Sequence, residues 1–293
     1  MTRRSLVLFA AMAVIWGIPY LFIRIAVSDL SPIMLVFSRT AIAALILLPI
    51  ALARGELRGL TRHWIPLLAL AAVEIGIPWV MLASAEQRIS SSLAGLLLSA
   101  VPLVGVVIAT ALGNREHLSL ASISGLLLGV AGVTAIAGSD LRASDWLSLL
   151  EVGVVVAGYA AGPVILTRYL SGVPPLAVIA VALGICAVVY APPAAFQWPH
   201  SMPHPGTIAS VLVLAIVCSA IAFLLFFALI AEIGPVRATV FTYINPAVAA
   251  VLGVLVLHES FSMWLVFGFV LVLAGSALAT RRPATGVVPQ AIR

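Results

Sequence analysis

The stretch Pro19-Tyr20-Leu21-Phe22-Ile23-Arg24 returns 144 residues later as Pro163-Val164-Ile165-Leu166-Thr167-Arg168, with proline, aliphatic and arginine in the same places. The correspondence runs outward from there. Pro102 falls on Pro246, and Trp64 falls on Ile208 at the end of a matching apolar run. After a one-residue slip, Glu116, Gly125 and Gly132 recur as Glu259, Gly268 and Gly275. Such self-similarity marks two like halves. Two halves with an odd number of membrane spans each sit upside down relative to one another. That arrangement lets one carrier architecture open to either side.

Composition supports a membrane setting. The chain is 63% hydrophobic and 9% charged, with a mean hydropathy of +1.23; a soluble chain carries about 25% charged residues. Its 293 residues hold roughly ten spans of about 20 residues each, with no sizeable soluble domain. A net charge of +5 would suggest nucleic acid in a soluble protein, but all 15 basic residues are arginines and most fall in short loops and tails. The positive-inside rule explains them, and no nucleic-acid partner is expected. Cys186 and Cys218 both lie in apolar runs and read as free thiols, not as a disulfide or metal pair. The basic flank at Arg3-Arg4 before an apolar run resembles a signal peptide. The run continues to about Ile25, too long for such a segment, so it reads as an uncleaved first span.

Apolar runs bounded by charge or Pro/Gly clusters predict an all-α integral membrane protein with ten transmembrane helices in two inverted five-helix repeats. The spans are 5–25, 32–53, 64–84, 90–112, 119–138, 146–168, 175–196, 207–229, 235–257 and 262–280. Placing the N-terminus inside puts Arg3, Arg4, Arg54, Arg58, Arg62, Arg115, Arg168, Arg237, Arg281, Arg282 and Arg293 in the cytoplasm. Arg88 and Arg142 fall on the other side, with Arg24 near its edge. Both termini are then cytoplasmic in a multi-pass protein.

Trp16-Gly17-Ile18-Pro19-Tyr20, then Ser31-Pro32 and Arg39, resembles the opening of the EamA family in the drug/metabolite transporter superfamily. The segment from Ile89 to Gly95 through Pro102 to Glu116 resembles that family's signature. So does its second copy, Gly234 to Thr239 through Tyr243-Ile244-Asn245-Pro246 to Glu259. The resemblance implies one repeat over 6–137, a second over 146–280 and a cytoplasmic tail at 281–293. It also implies a carrier of metabolites, amino acids or drugs in a bacterial inner membrane, often working outward. In such a carrier the first, third, fourth, sixth, eighth and ninth spans line the cavity. The copies are unequal here: Trp16 and Gly17 fall opposite Ala160 and Ala161, and Arg39 opposite Leu183.

Glu74 lies near the middle of the third span, where an ionisable group is costly unless paired or hydrated. It is expected to hold a substrate ammonium or to carry a coupling proton. The structural reading is an ion pair with Arg39. Arg39 is about 10 Å and Glu74 about 15 Å from the outer face at 1.5 Å per residue, so the depths are compatible. Pro78 removes the hydrogen bond to the Glu74 carbonyl and is expected to kink the third span, while Pro102 and Pro246 break the fourth and ninth. Trp16, Tyr20, Trp79, Tyr159 and Tyr243 offer aromatic walls with polar tips, although Trp and Tyr also anchor spans at the interface. Asn245 suits either substrate or a neighbouring helix. Ser91, Ser92 and Ser99 suit close packing, and Ser99 also falls among the cavity candidates. Glu116 and Glu259 read as interfacial charges beside a capping serine.

Gly125-x-x-x-Gly129 packs either within its own half or in a homodimer. His200-x-x-x-His204 has metal-like spacing, but Pro199, Pro203 and Pro205 forbid a regular helix there, so no metal or other cofactor is expected. No phosphate-binding GxxxxGK[ST] loop is present, which leaves a substrate or ion gradient as the energy source. The expected partners are a small-molecule substrate and membrane lipid. The alternatives are a membrane-embedded lipid-modifying enzyme, for which the scattered histidines and short loops supply no cluster, or a lipid flippase.

Overall fold

The computed structural model describes residues 2–112, 120–138, 146–234, 238–260 and 262–279. Arg115, Glu116, Arg142, Arg237 and the 281–293 tail lie outside the described residues, as does the link between the halves. Every regular element described is helical. The first half contains α1 (Arg3–Ile15), α2 (Pro19–Ala26), α3 (Pro32–Ala53), α4 (Trp64–Leu70), α5 (Ile77–Ala85), α6 (Ser91–Leu97), α7 (Val101–Ala111) and α8 (Leu120–Gly138). The second contains α9 (Trp146–Tyr169), α10 (Pro175–Phe196), α11 (Pro205–Leu212), α12 (Ala222–Ile233), α13 (Asn245–Leu257) and α14 (Met263–Ala279).

Several of these pieces are successive parts of one interrupted segment. α4 and α5 are joined by a π-helical turn, Ala71–Gly76, and α11 and α12 by another, Val213–Ile221. Short 3-10 turns precede α7 (Leu98–Ala100) and α13 (Thr239–Tyr243), placing Pro102 and Pro246 in the first turn of the next helix. A proline lacks an N–H, so this position is where it does least harm. Seven continuous helical stretches, from Arg3–Ala26 to Pro205–Ile233, are long and apolar enough to cross a membrane. Three shorter apolar helices accompany them: Ile123–Ala135, Phe241–Leu257 and Met263–Leu278. Leu45, Leu52, Leu127, Val188 and Leu255 all point outward, exposed. A soluble monomer rarely shows so much exposed apolar surface.

The packing is reciprocal between halves. α3 lies along α10, α8 along α14, and α6 along α13. α1 and α2 lie against α12 and α11, while α5 lies against α9. The second, fourth and fifth segments therefore meet their own counterparts, and the first and third exchange partners. This reciprocity is the signature of a two-fold relation between the halves.

Glycines set the closest approaches. The Gly125/Gly129 pair meets Gly275 of α14, where an added Cβ would come within 2.6 Å of the Gly125 carbonyl; Gly132 meets Gly268 in the same way, at 2.7 Å. This glycine face is thus occupied within the chain, by Gly275 of the other half and, at Gly129, also by Leu103 of its own half. A second stripe, Gly158 and Gly162 of α9, receives the π turn of the third segment. A Cβ on Gly158 would strike the Val73 carbonyl, and one on Gly162 the Glu74 carboxylate. At one end of the bundle, the Asp29 carboxylate accepts from the His204 N–H (2.8 Å) and the Thr207 hydroxyl (2.7 Å), pinning the start of α11. Those two bonds hold its pKa below the ordinary 3.8. Their contribution to stability is present at neutral pH and lost as the pH falls through that lowered value.

Gly162→Ala is expected to lower the thermal midpoint in detergent, at a cost of about 1–3 kcal/mol for overpacking. On the same helix Gly153 meets nothing within 4 Å, so Gly153→Ala should be neutral or stabilising. Equal effects of the two substitutions would contradict the packing described.

Candidate functional site

The two π-helical turns occupy matching positions in the third and eighth segments, the first packed on α9 and α10, the second on α2 and α3. They carry Glu74 and Cys218, which are repeat counterparts. A π turn shifts hydrogen bonding from i−4 to i−5, as in Ile77 N–H to the Ala72 carbonyl, and such turns are frequent at functional sites. Pro78 has no N–H for the Val73 carbonyl five residues back or for Glu74's at four. The Val73 carbonyl is turned onto Gly158 instead. Side chains take other carbonyls of these turns: Cys186 Sγ donates to Ala71 (3.3 Å), Ser219 Oγ to Leu214 (2.9 Å), and Trp16 Nε1 to Cys218 (3.2 Å). The second turn forms without any proline, at a place the sequence did not mark.

Arg39 of α3 links the second turn to α5. Its Nε donates to Ser219 Oγ (3.0 Å), and its guanidinium carbon lies 3.6 Å from the centre of the Trp79 ring. The expected ion pair with Glu74 is absent: no carboxylate lies within 4.0 Å of Arg39 among the described residues. Compatible depth fixed the height of the two side chains but not their direction around the helix axes. Arg39 turns toward the eighth segment, whereas Glu74 turns toward α9.

Glu74 is half-buried in mid-segment, and its Oε2, pressed on Gly162, has no hydrogen-bond partner. Tyr159, also half-buried, neighbours both Glu74 and Arg39, and Trp79 lies in hydrogen-bonding reach of its hydroxyl. Tyr20 is buried, near Tyr159 and Arg39, with its ring against Gly95. The structure thus gathers Tyr20, Arg39, Glu74, Trp79 and Tyr159.

The other candidates are placed differently. Trp16 is enclosed by Phe223, Phe226 and Phe241, with ring centroids at 5.0–5.6 Å. The Ser99 hydroxyl is taken up by the Leu96 carbonyl (2.5 Å). Tyr243 is half-buried in the 3-10 turn before α13. Asn245 is buried, and with its amide oriented to suit its surroundings the nitrogen donates to the carbonyls of Ala13 (3.0 Å) and Phe241 (3.3 Å), tying α13 to α1.

Three comparisons with known proteins bear on what such a site belongs to. The family model for the EamA-like transporter family matches residues 3–138 and again 146–281. The chain belongs to the EamA-like transporter family. It is 29% identical to an uncharacterized inner membrane transporter of Escherichia coli (strain K12), YedA, over 98% of this chain and 97% of that one. It is 25% identical to an uncharacterized transporter of Bacillus subtilis (strain 168), YvbV, over 95% and 92%. A crystal structure with 22% identity superposes with a TM-score of 0.67, covering 96% of this chain and 97% of that one. That likeness concerns the fold.

This EamA-like chain also contains polar contacts that sequence reasoning missed. Glu86 is fully buried, with neither carboxylate oxygen hydrogen-bonded, while its main-chain carbonyl accepts from Arg24 Nη1. Glu151 pairs with Arg88 and accepts from Ser84 (2.8 Å). Glu259 is not a solvated interfacial charge: it caps the start of α6, accepting from the Ser91 N–H (2.8 Å), the Ser92 N–H (3.0 Å) and the Ser92 hydroxyl (2.5 Å). His258, at φ 54, turns the chain back to aim it there. The only advance signal was an acidic residue two positions past a helix end. Glu259→Ala leaves three donors without their acceptor and is expected to cost about 1–3 kcal/mol, read as a lower thermal midpoint, with Glu259→Gln milder. An unchanged midpoint for both would remove the capping role.

Proposed function

We propose that this protein is a secondary transporter of small organic molecules, built from ten spans in two inverted five-helix repeats and working by alternating access. The observation that carries this reading is the pair of matched π turns at the centre, one bearing the half-buried, unpaired Glu74. Irregular backbone is tolerated at membrane depth where it lines a cavity or is satisfied by neighbours. An unpaired carboxylate there has a task to perform. The reciprocal packing of the halves supports rocking of one against the other about this centre.

The substrate sits against Tyr20, Glu74, Trp79 and Tyr159. Trp16 and Asn245 act behind them, tying the first segment to the eighth and ninth, and Tyr243 lies in the turn before α13. Glu74 binds a substrate ammonium or carries the coupling proton. Arginine placement supports both termini in the cytoplasm of a bacterial inner membrane, and outward transport rests on likeness to the family. A homodimer would need a surface other than the Gly125/Gly129 face.

The test is counterflow in proteoliposomes with a broad panel of amino acids, organic acids, sugars, nucleosides and cationic drugs. At least one soluble solute should exchange. No exchange together with lipid movement between leaflets would replace the reading with a flippase. With the carried solute, an imposed pH gradient should change the wild-type rate but not that of Glu74→Gln. Equal pH dependence in the two proteins would remove Glu74 from coupling.

A further inference from the structure

We propose that Arg39 is the anion anchor of the central cavity and that the transported solute carries a carboxylate, an assignment that rests on the carrier reading above. A guanidinium is charged at every accessible pH. Arg39 is 7% exposed in the interior of a membrane bundle, where a lone charge is expensive. The titratable groups that face it are Cys218, Tyr159 and Tyr20, whose ordinary pKa values leave all three uncharged at neutral pH. The ion pairs of the described residues are elsewhere, at Arg4, Arg54 and Arg88. Among the described residues, the guanidinium therefore has no carboxylate of the protein in contact with it, Glu74 being turned toward α9.

The guanidinium is also incompletely used. Its Nε is bonded to Ser219 and one face is covered by Trp79. Among the described residues, the terminal nitrogens Nη1 and Nη2 make no hydrogen bond, and neither is a sealed, partnerless atom. Trp79 and Ser219 hold the plane of the fork in place, while the edge that would receive a carboxylate through two parallel N–H bonds stays available. Fixing the plane beforehand lowers the ordering cost of binding. Charge balance selects among anions. A carboxylate neutralises one guanidinium, whereas a phosphate dianion would bring an excess negative charge into the same interior. Aromatic walls at Trp79, Tyr20 and Tyr159 suit a solute with an apolar body.

The experiment is proteoliposome counterflow with four solutes sharing one ring: 3-phenylpropionate, phenylalanine, 2-phenylethylamine and phenyl phosphate. Wild type is expected to carry the carboxylates in preference to the other two. Arg39→Lys keeps the charge but loses the planar fork, and should carry them about tenfold more slowly. Arg39→Lys at the wild-type rate, or wild-type preference for the amine or the phosphate, would overturn the anchor. Exchange only of carboxylate-free solutes in the broader panel would overturn the anchor and leave the carrier reading standing. No exchange of any solute would overturn both. Should Arg39→Lys not fold, wild-type Trp79 emission, with Trp79→Phe as the blank, replaces it. Carboxylates should shift that emission and 2-phenylethylamine should not; no carboxylate shift overturns the proposal.

Discussion

Within a membrane, each backbone N–H and carbonyl has to find its partner inside the protein, and the rest of this structure follows from how that requirement is met. The helices are broken or widened at Trp16–Ile18, Ala71–Gly76, Leu98–Ala100, Val213–Ile221 and Thr239–Tyr243. Close neighbours supply contacts at several of them. Trp16, Cys186 and Ser219 donate to carbonyls of the π turns, Gly158 receives that of Val73, and Asn245 reaches both Ala13 and Phe241. The same side chains that satisfy the backbone thereby hold the bundle centre in shape.

Once the backbone is satisfied, the remaining charges stand out. Arg39 and Glu74 are both in the interior, and neither neutralises the other. They belong to the first half alone, since their repeat counterparts are Leu183 and Cys218. In the carrier proposed above, the reciprocal packing of the halves is what would let either side open, and the polar groups of the first half are what would meet the solute. Trp16, expected at the cavity wall from its depth, packs in the aromatic cluster with Phe223 and Phe226 of the eighth segment.

The sequence disclosed whatever was local or repeated. Pro102 and Pro246 marked their breaks because a missing N–H acts within one turn, and the 144-residue offset marked the halves because it needs no geometry. The π turn at Val213–Ile221 left no trace, having no proline to announce it. Arg39 was matched to Glu74 by depth alone, and rotation about two helix axes sent them to different neighbours. Glu259 on the N–H groups of Ser91 and Ser92 joins positions 168 and 167 residues apart. No periodicity in the chain reports such a contact.

The central claim is that the two π turns enclose a cavity reached from each side of the membrane in turn. It is tested most directly by thiol accessibility at Tyr159, which stands beside both Glu74 and Arg39. In a background carrying Cys186→Ser and Cys218→Ala, Tyr159→Cys would be exposed to a membrane-impermeant thiol reagent applied from one side or the other. The account predicts labelling from both sides, with a transported solute slowing both reactions. Labelling from one side alone, or from neither, would contradict it.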